Sequence, residues 1–263
     1  MTTLCPIVLL TDFGTKDAYV ASMKGVILTL YPGAAIVDLT HQVEPQNVKQ
    51  AAFLLDSAYR YFPPSSIFVS VVDPGVGSSR EILAAKTSHG IFLAPDNGLL
   101  TPLLEREKKY ELRRVVNKKF FLAEISSTFH GRDCFAPTSA RLAKSPRLFS
   151  EVGPLIKSFT HLSLPIPKTT PGKIRGEIVF FDHFGNAFTN IPRALVKEVL
   201  RTLSSQVCVK GKTLGAVKRS YFEGKRGEPV ALFSSNGLLE IAVNCGSVRD
   251  QWGLQEGDAV EIF

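Results

Sequence analysis

Membrane-length apolar runs and clustered cysteines are both missing from this sequence of 263 residues. Its longest stretch without Asp, Glu, Lys or Arg spans residues 25–37 and is broken by Pro32, whereas a transmembrane helix needs about 20 apolar residues. No membrane partner of the spanning kind is expected. The opening MTTLCPIVLLTDFG has no basic segment and meets an acid at Asp12, too early for a signal peptide, so a cytoplasmic protein is expected. Cys5, Cys134, Cys208 and Cys245 stand far apart, without a CxxC or a His pair at ligand spacing. That pattern predicts buried thiols in a reducing compartment and no metal site. Long polar tracts are missing too: with 44% hydrophobic and 21% charged residues, the chain can bury a core and is not disordered.

Common catalytic signatures are equally absent. The sequence has no GxxxxGK[ST] and no GxSxG or HExxH, and its GVG at residues 75–77 follows a proline rather than completing a GxGxxG, which speaks against P-loop and dinucleotide readings. The net charge of +7 owes much to residues 106–119, where seven basic residues face only Glu107 and Glu111. This strip reads as a solvated face, the alternative being an RNA- or DNA-binding patch. No nucleic-acid partner is expected.

What is present alternates. Short apolar runs at residues 7–10, 35–39, 67–72 and 91–94 are separated by helical stripes such as Val20, Met23, Ile27 and Leu30, then Val48, Ala51, Ala52, Leu55 and Tyr59. This β-α-β-α-β order predicts, for residues 1–150, an α/β domain with a central mostly parallel sheet covered by helices. A further helix is expected over residues 134–144. Prolines at 146, 154, 165, 167 and 171 mark residues 151–172 as a linker. Short strands joined by Gly turns follow, with one helix near residues 192–200, so residues 173–263 read as a smaller β-rich, barrel-like domain.

Three predicted strands end in acidic Gly turns, at Asp12, Asp73 and Asp96, and these turns should converge, since ligands of open α/β sheets bind beyond the carboxyl ends of strands. Asp12 can accept both hydroxyls of a ribose, or simply make an Asx turn. Asp73 and Arg80 bracket a Gly-rich turn and can form an ion pair. His130, in FHGRD, precedes the predicted helix and faces a loop mouth, unless it is an ordinary surface or core histidine. The run at residues 181–190 sets Phe184 and Phe188 among Asp182 and Asn186: aromatic faces stack on bases, and an Asn amide matches an adenine edge. A core turn is the alternative there, as it is for the polar turn holding Ser235.

Together, TDFGTKDAYVASMKG, VVDPGVGSSR, APDNGLLT, TFHGRDCFAP, DHFGNAFTNI and SSNGLLEIAVN resemble, in order and over nearly the whole chain, the SAM hydroxide adenosyltransferases. These S-adenosyl-L-methionine (SAM) hydrolases release adenosine and methionine, and are related to the SAM-dependent fluorinase and chlorinase. The resemblance implies that Asp73, Arg80 and His130 hold the attacking water, with His130 as a second acceptor or base. Gly131 stands where the halogenases have a halide-holding Ser, which favours water, and Gln46 stands where they have a Trp. Asp12 is implied at the ribose, Asp182 at the methionine ammonium and Ser235 at its carboxylate. Asn186, Phe184 and Phe188 are implied at the adenine, with backbone groups of Val243 and Cys245. SAM would be the substrate, with no cofactor, and the protein a homotrimer whose sites lie between the first domain of one subunit and the second of the next. The alternatives are a halogenase and a non-catalytic adenosyl-compound-binding protein.

Overall fold

The computed structural model describes residues 5–107, 109–200 and 205–263. The chain divides into two compact units, Met1–Leu162 and Ser163–Phe263. No helix among the described residues is long and apolar enough to cross a membrane.

In the first unit, β1 (Ile7–Thr11), β2 (Ile36–Thr40), β3 (Ile67–Val71), β4 (Ile82–Thr87), β5 (Gly90–Pro95) and β6 (Glu111–Arg114) form one sheet, in the order β2-β1-β3-β5-β4-β6. β2, β1, β3 and β5 are parallel. β4 runs against both of its neighbours. The mostly parallel α/β sheet expected from the sequence is therefore present. β4 and β6 escaped the sequence pattern because ILAAKT is weak in β-branched residues and ELRR is a charged edge.

Both faces of the sheet are covered, which is why its central strands need continuous apolar runs rather than alternation. Ile7 and Leu9 of β1 turn to one face, against Met23 and Ile27 of α1 (Tyr19–Leu30). Val8 and Leu10 turn to the other, against Ala51 and Leu55 of α2 (Val48–Ala58) and Leu103 and Leu104 of α3 (Thr101–Arg106). Asn47 caps α2, accepting from Gln50 N at 2.9 Å. Phe135 and Ala140 complete the first face. They come from a widened helical turn, Gly131–Phe135, and from α4 (Ala136–Lys144), where one regular helix was expected.

The proline-rich stretch 151–172 is shared between the units. Ile156 and Phe159 pack on the first unit's core, and Leu162 N donates to Thr101 Oγ1 at 2.9 Å. Further on, β7 (Lys168–Thr170) pairs with β8 (Lys173–Phe181) in the second unit.

The second unit continues with β9 (Ala187–Pro192), α5 (Arg193–Leu200), β10 (Gln206–Val209), β11 (Lys212–Ala216), β12 (Pro229–Phe233), β13 (Leu238–Val243), α6 (Val248–Trp252) and β14 (Ala259–Ile262). Its main sheet runs β11-β10-β14-β8-β9-β13-β12, antiparallel at every step. Just past β11, Lys218 bridges Leu232 of β12, and its N–H donates to Ala231 O at 2.7 Å. The two edges thus meet in a nearly closed barrel, which leaves little open strand edge to pair with other chains. Ile178, Ile191, Leu239, Ile241 and Val260 fill its interior.

Candidate active site

Asp73 leaves the end of β3 and Arg80 precedes β4, at either side of a tight turn. Arg80 grips the Asp73 carboxylate with both arms of its fork, Nε to Oδ1 at 3.0 Å and Nη2 to Oδ2. These side chains are only 9% and 5% exposed, so the pair is shielded from the solvent that makes surface ion pairs weak. The same Nη2 lies 2.8 Å from His130 Nδ1. The structure thus gathers the three predicted residues around one guanidinium.

That contact settles a proton. A guanidinium only donates, so Nδ1 must accept, and a neutral imidazole then carries its hydrogen on Nε2. His130 presents a donor here, where the sequence reading expected an acceptor or base. Burial first, and then the neighbouring Arg80 charge, hold its pKa below the ordinary 6.5. Arg80 and His130 border a hollow of about 420 Å³ with Ile82, Phe121, Ile125 and Cys134.

Two features missed in the sequence bring the distant loops together. Gly77 has φ +79°, and a Cβ there would stand 2.3 Å from Ser127 O, so only glycine lets the 73–80 turn lie against the segment before His130. Asp133, fully buried, accepts from Ser126 N at 2.8 Å and pairs with Arg132. Those bonds hold its carboxyl below the usual range against the opposing effect of burial. Its spacing from His130 was the available signal, but a lone acid three residues along a helix says nothing by itself.

Asp12, at the end of β1, is half-buried. Its Oδ2 accepts from Gln46 N at 2.8 Å, which fixes the loop carrying Gln46. The third acidic turn serves structure: Asp96 Oδ1 accepts from Thr160 N at 2.7 Å.

In the second unit a hollow of about 560 Å³ is lined by Asp182, Phe184, Asn186, Tyr221, Val243 and Cys245, with Gly246. Asp182 Oδ1 accepts from the N–H groups of Phe184 and Asn186, and its Oδ2 from Asn186 Nδ2 at 2.9 Å. Because a carboxylate facing an amide selects its NH₂ end, Asn186 Oδ1 is left as a free-facing acceptor. Phe184 is 71% exposed. Phe188 does not line the hollow; it is buried and stacked on Phe180 at 4.5 Å. Ser235 is exposed in the β12–β13 turn, at the end of that hairpin away from Val243. Tyr221 was not foreseen, because its KRSYFEG surroundings read as a plain polar loop.

The expectation of buried thiols holds for Cys134 alone: Cys5 and Cys208 are half-buried, and Cys245 sits exposed in a turn at φ +59°. Three arginines of the basic strip are paired locally: Arg106 with Asp56, Arg113 with Glu111 and Arg114 with Glu81. Lys108 of that strip lies outside the described residues.

Both units find counterparts among known proteins. The SAM hydroxide adenosyltransferase N-terminal domain profile matches residues 7–153, and the corresponding C-terminal domain profile matches residues 176–261. The chain belongs to the SAM hydroxide adenosyltransferase family. Relatives include the (R)-S-adenosyl-L-methionine hydrolase of Thermus thermophilus, 39% identical over 98% of this chain and 99% of its own. A fluorinase of Actinoplanes sp. is 30% identical over 97% and 96%. The crystal structure of an uncharacterized conserved protein from Thermotoga maritima matches with a TM-score of 0.91 at 40% identity, covering 97% of this chain and 99% of that one.

Proposed function

We propose that this chain hydrolyses S-adenosyl-L-methionine to adenosine and L-methionine. The observation that carries the reading is the single guanidinium of Arg80 bonded to both a carboxylate and an imidazole. The 39% identity to a hydrolase of that name supports it.

The chemistry suits so small a kit. A water oxygen attacks C5′ opposite sulfur, the C5′–S bond breaks, and its electron pair stays on sulfur. Methionine leaves as a neutral thioether, so no general acid is required. Asp73, though gripped by Arg80, keeps lone pairs that accept a hydrogen bond from the water and then its proton. His130 offers its Nε2–H to the same water and so fixes its orientation. Holding the water in line can lower the barrier by roughly 7–11 kcal/mol in well-oriented cases. SAM is the substrate, and no cofactor is called on.

Asp12, through Oδ1, takes the ribose hydroxyls. Asn186 Oδ1 accepts from the adenine amino group, with Phe184 at the ring, Phe188 packed behind the loop, and backbone groups of Val243 and Cys245 alongside. Asp182 meets the methionine ammonium. The pairing of Ser235 with the methionine carboxylate rests on the resemblance alone. We further infer a cytoplasmic homotrimer in which Asp73, Arg80 and His130 of one subunit work with the Asn186 loop of the next; the exposed Phe184 and Phe222 rings support such a neighbour.

The test is to incubate the pure protein with SAM in chloride buffer and identify the nucleoside. Adenosine is expected, 5′-chloro-5′-deoxyadenosine would make the chain a halogenase, and no product would leave a binding role. For the trimer, mixing His130→Ala with Asn186→Ala subunits should restore part of the activity. No recovery after subunit exchange would refute shared sites.

A further inference from the structure

Glu240 is the one charged residue in the strand LLEIAV of β13, and it is 1% exposed. Across the sheet it faces Phe188 on β9 and Leu232 on β12, so its strand neighbours offer it nothing polar. Among the described residues no Lys, Arg or His pairs with it. Among those residues its one hydrogen bond comes from the Tyr221 hydroxyl, at 2.6 Å. An apolar side chain would sit in that place at far lower cost, because a buried carboxyl without a cation is among the more expensive groups a core can hold.

What the carboxyl does have is a bond to a residue of the 560 Å³ hollow. Tyr221 lies in a short turn, Tyr221–Glu223, and is 42% exposed, so core packing does not fix its ring. The loop is tied down at its other end, where Asn244 Nδ2 donates to Gly224 O at 2.8 Å and a Cβ on Gly224 would collide with Val230. Glu240 supplies the second tie.

We propose that Glu240 is a positioning residue for the ligand in this hollow, anchoring the Tyr221 hydroxyl so that the Tyr221 ring stands as a fixed wall beside the base of the adenosyl group. The proposal rests on the reading that this hollow takes the adenosyl part of SAM. The titratable groups facing Glu240 are Tyr221, from the turn, and Asp182, from the β8–β9 loop; β9 and β12 contribute apolar side chains. Burial first, with the Asp182 charge adding to it, pushes the Glu240 carboxyl up to about 7. Near neutrality the anchor therefore changes from a neutral carboxyl to a buried anion that only the Tyr221 hydroxyl supports.

The experiment measures SAM turnover and inhibition by adenosine in Tyr221→Phe, Glu240→Leu and Glu240→Gln, with folding checked by melting. Tyr221→Phe and Glu240→Leu are expected to raise KM for SAM and Ki for adenosine about tenfold, the loss of one well-placed interaction, with kcat within about twofold. Glu240→Gln keeps an acceptor for the tyrosine and should restore wild-type values at pH 7. If Glu240→Leu fails to fold, Tyr221→Phe, which alters an exposed ring, decides alone. Unchanged KM and Ki in Tyr221→Phe, with the wild type active, overturn the proposal and leave the hydrolase reading standing. A wild type that neither turns over SAM nor is inhibited by adenosine removes both.

Discussion

Nη2 of Arg80 donates to Nδ1 of His130 across 2.8 Å, and this one bond dictates which nitrogen of the ring holds the hydrogen. Nitrogen-detected NMR should find the Nε2–H tautomer, with a titration midpoint below 6.5. Arg80→Gln should raise the midpoint, since the opposing charge goes while Asp73 stays. The folded protein takes up this proton less readily than the unfolded chain, so the linked stability is intact above about 6.5 and falls as pH drops below it. A wild-type midpoint at or above 6.5 contradicts this assignment.

Asp73→Asn removes the proton acceptor while keeping size and one hydrogen-bonding oxygen. Turnover should fall about a hundred- to ten-thousand-fold, the usual range for a general base, with SAM affinity by calorimetry within a few fold. Arg80→Lys, which keeps the charge but loses the fork, should fall between wild type and Asp73→Asn. A large loss of affinity with kcat intact would place Asp73 at binding instead.

Gly77→Ala tests how the two loops are held together. The substitution meets both the left-handed backbone and the Ser127 carbonyl, and should cost about 2–4 kcal/mol of stability along with a drop in kcat. Gly172→Ala is the control, with φ +74° and open space around the new methyl; it should cost about 1 kcal/mol and leave kcat alone. Equal effects on stability and turnover in both variants would deny Gly77 its part in bringing the loops into contact.

Glu240 should also be visible in the stability of the protein. Its folded pKa of about 7 lies above the ordinary 4.5, so the unfolded chain ionises first as pH rises. The stability present below pH 4.5 is lost between 4.5 and about 7, by on the order of 3 kcal/mol at most. Urea unfolding at a series of pH values should show that decline in the wild type and a flatter line in Glu240→Gln. Parallel profiles would mean that the carboxyl is not buried as described.

The layout of the strands was legible because apolar runs and helical stripes report burial directly: β1, β3 and β5 and helices α1 and α2 came from that signal alone. The catalytic candidates Asp73, Arg80 and His130 were legible through short motifs, yet their common contact was not, since fifty residues separate Arg80 from His130. Glu240 was hidden inside an apolar strand that explains itself without it. Tyr221 was hidden in a loop whose composition carries no period. Ser235 lies at the far end of the β12–β13 hairpin and Phe188 is buried against Phe180; hairpin register and the face a strand residue takes, which short motifs do not report, set both positions.

The reversed strand β4 decides more than sheet order. Had the chain after β3 crossed over to enter the sheet in the common direction, β4 would begin at the opposite pole, about a strand's length, on the order of 17 Å, from Asp73. Reversed, it sets out from the pole at which β3 and β5 finish, and the chain needs only a short arc past the end of β5 to bring a cation back to the acid it left seven residues earlier. The ion pair is thus a product of chain direction. A shorter arc would pull Arg80 off its carboxylate, and a longer one would leave its reach toward His130 unguided.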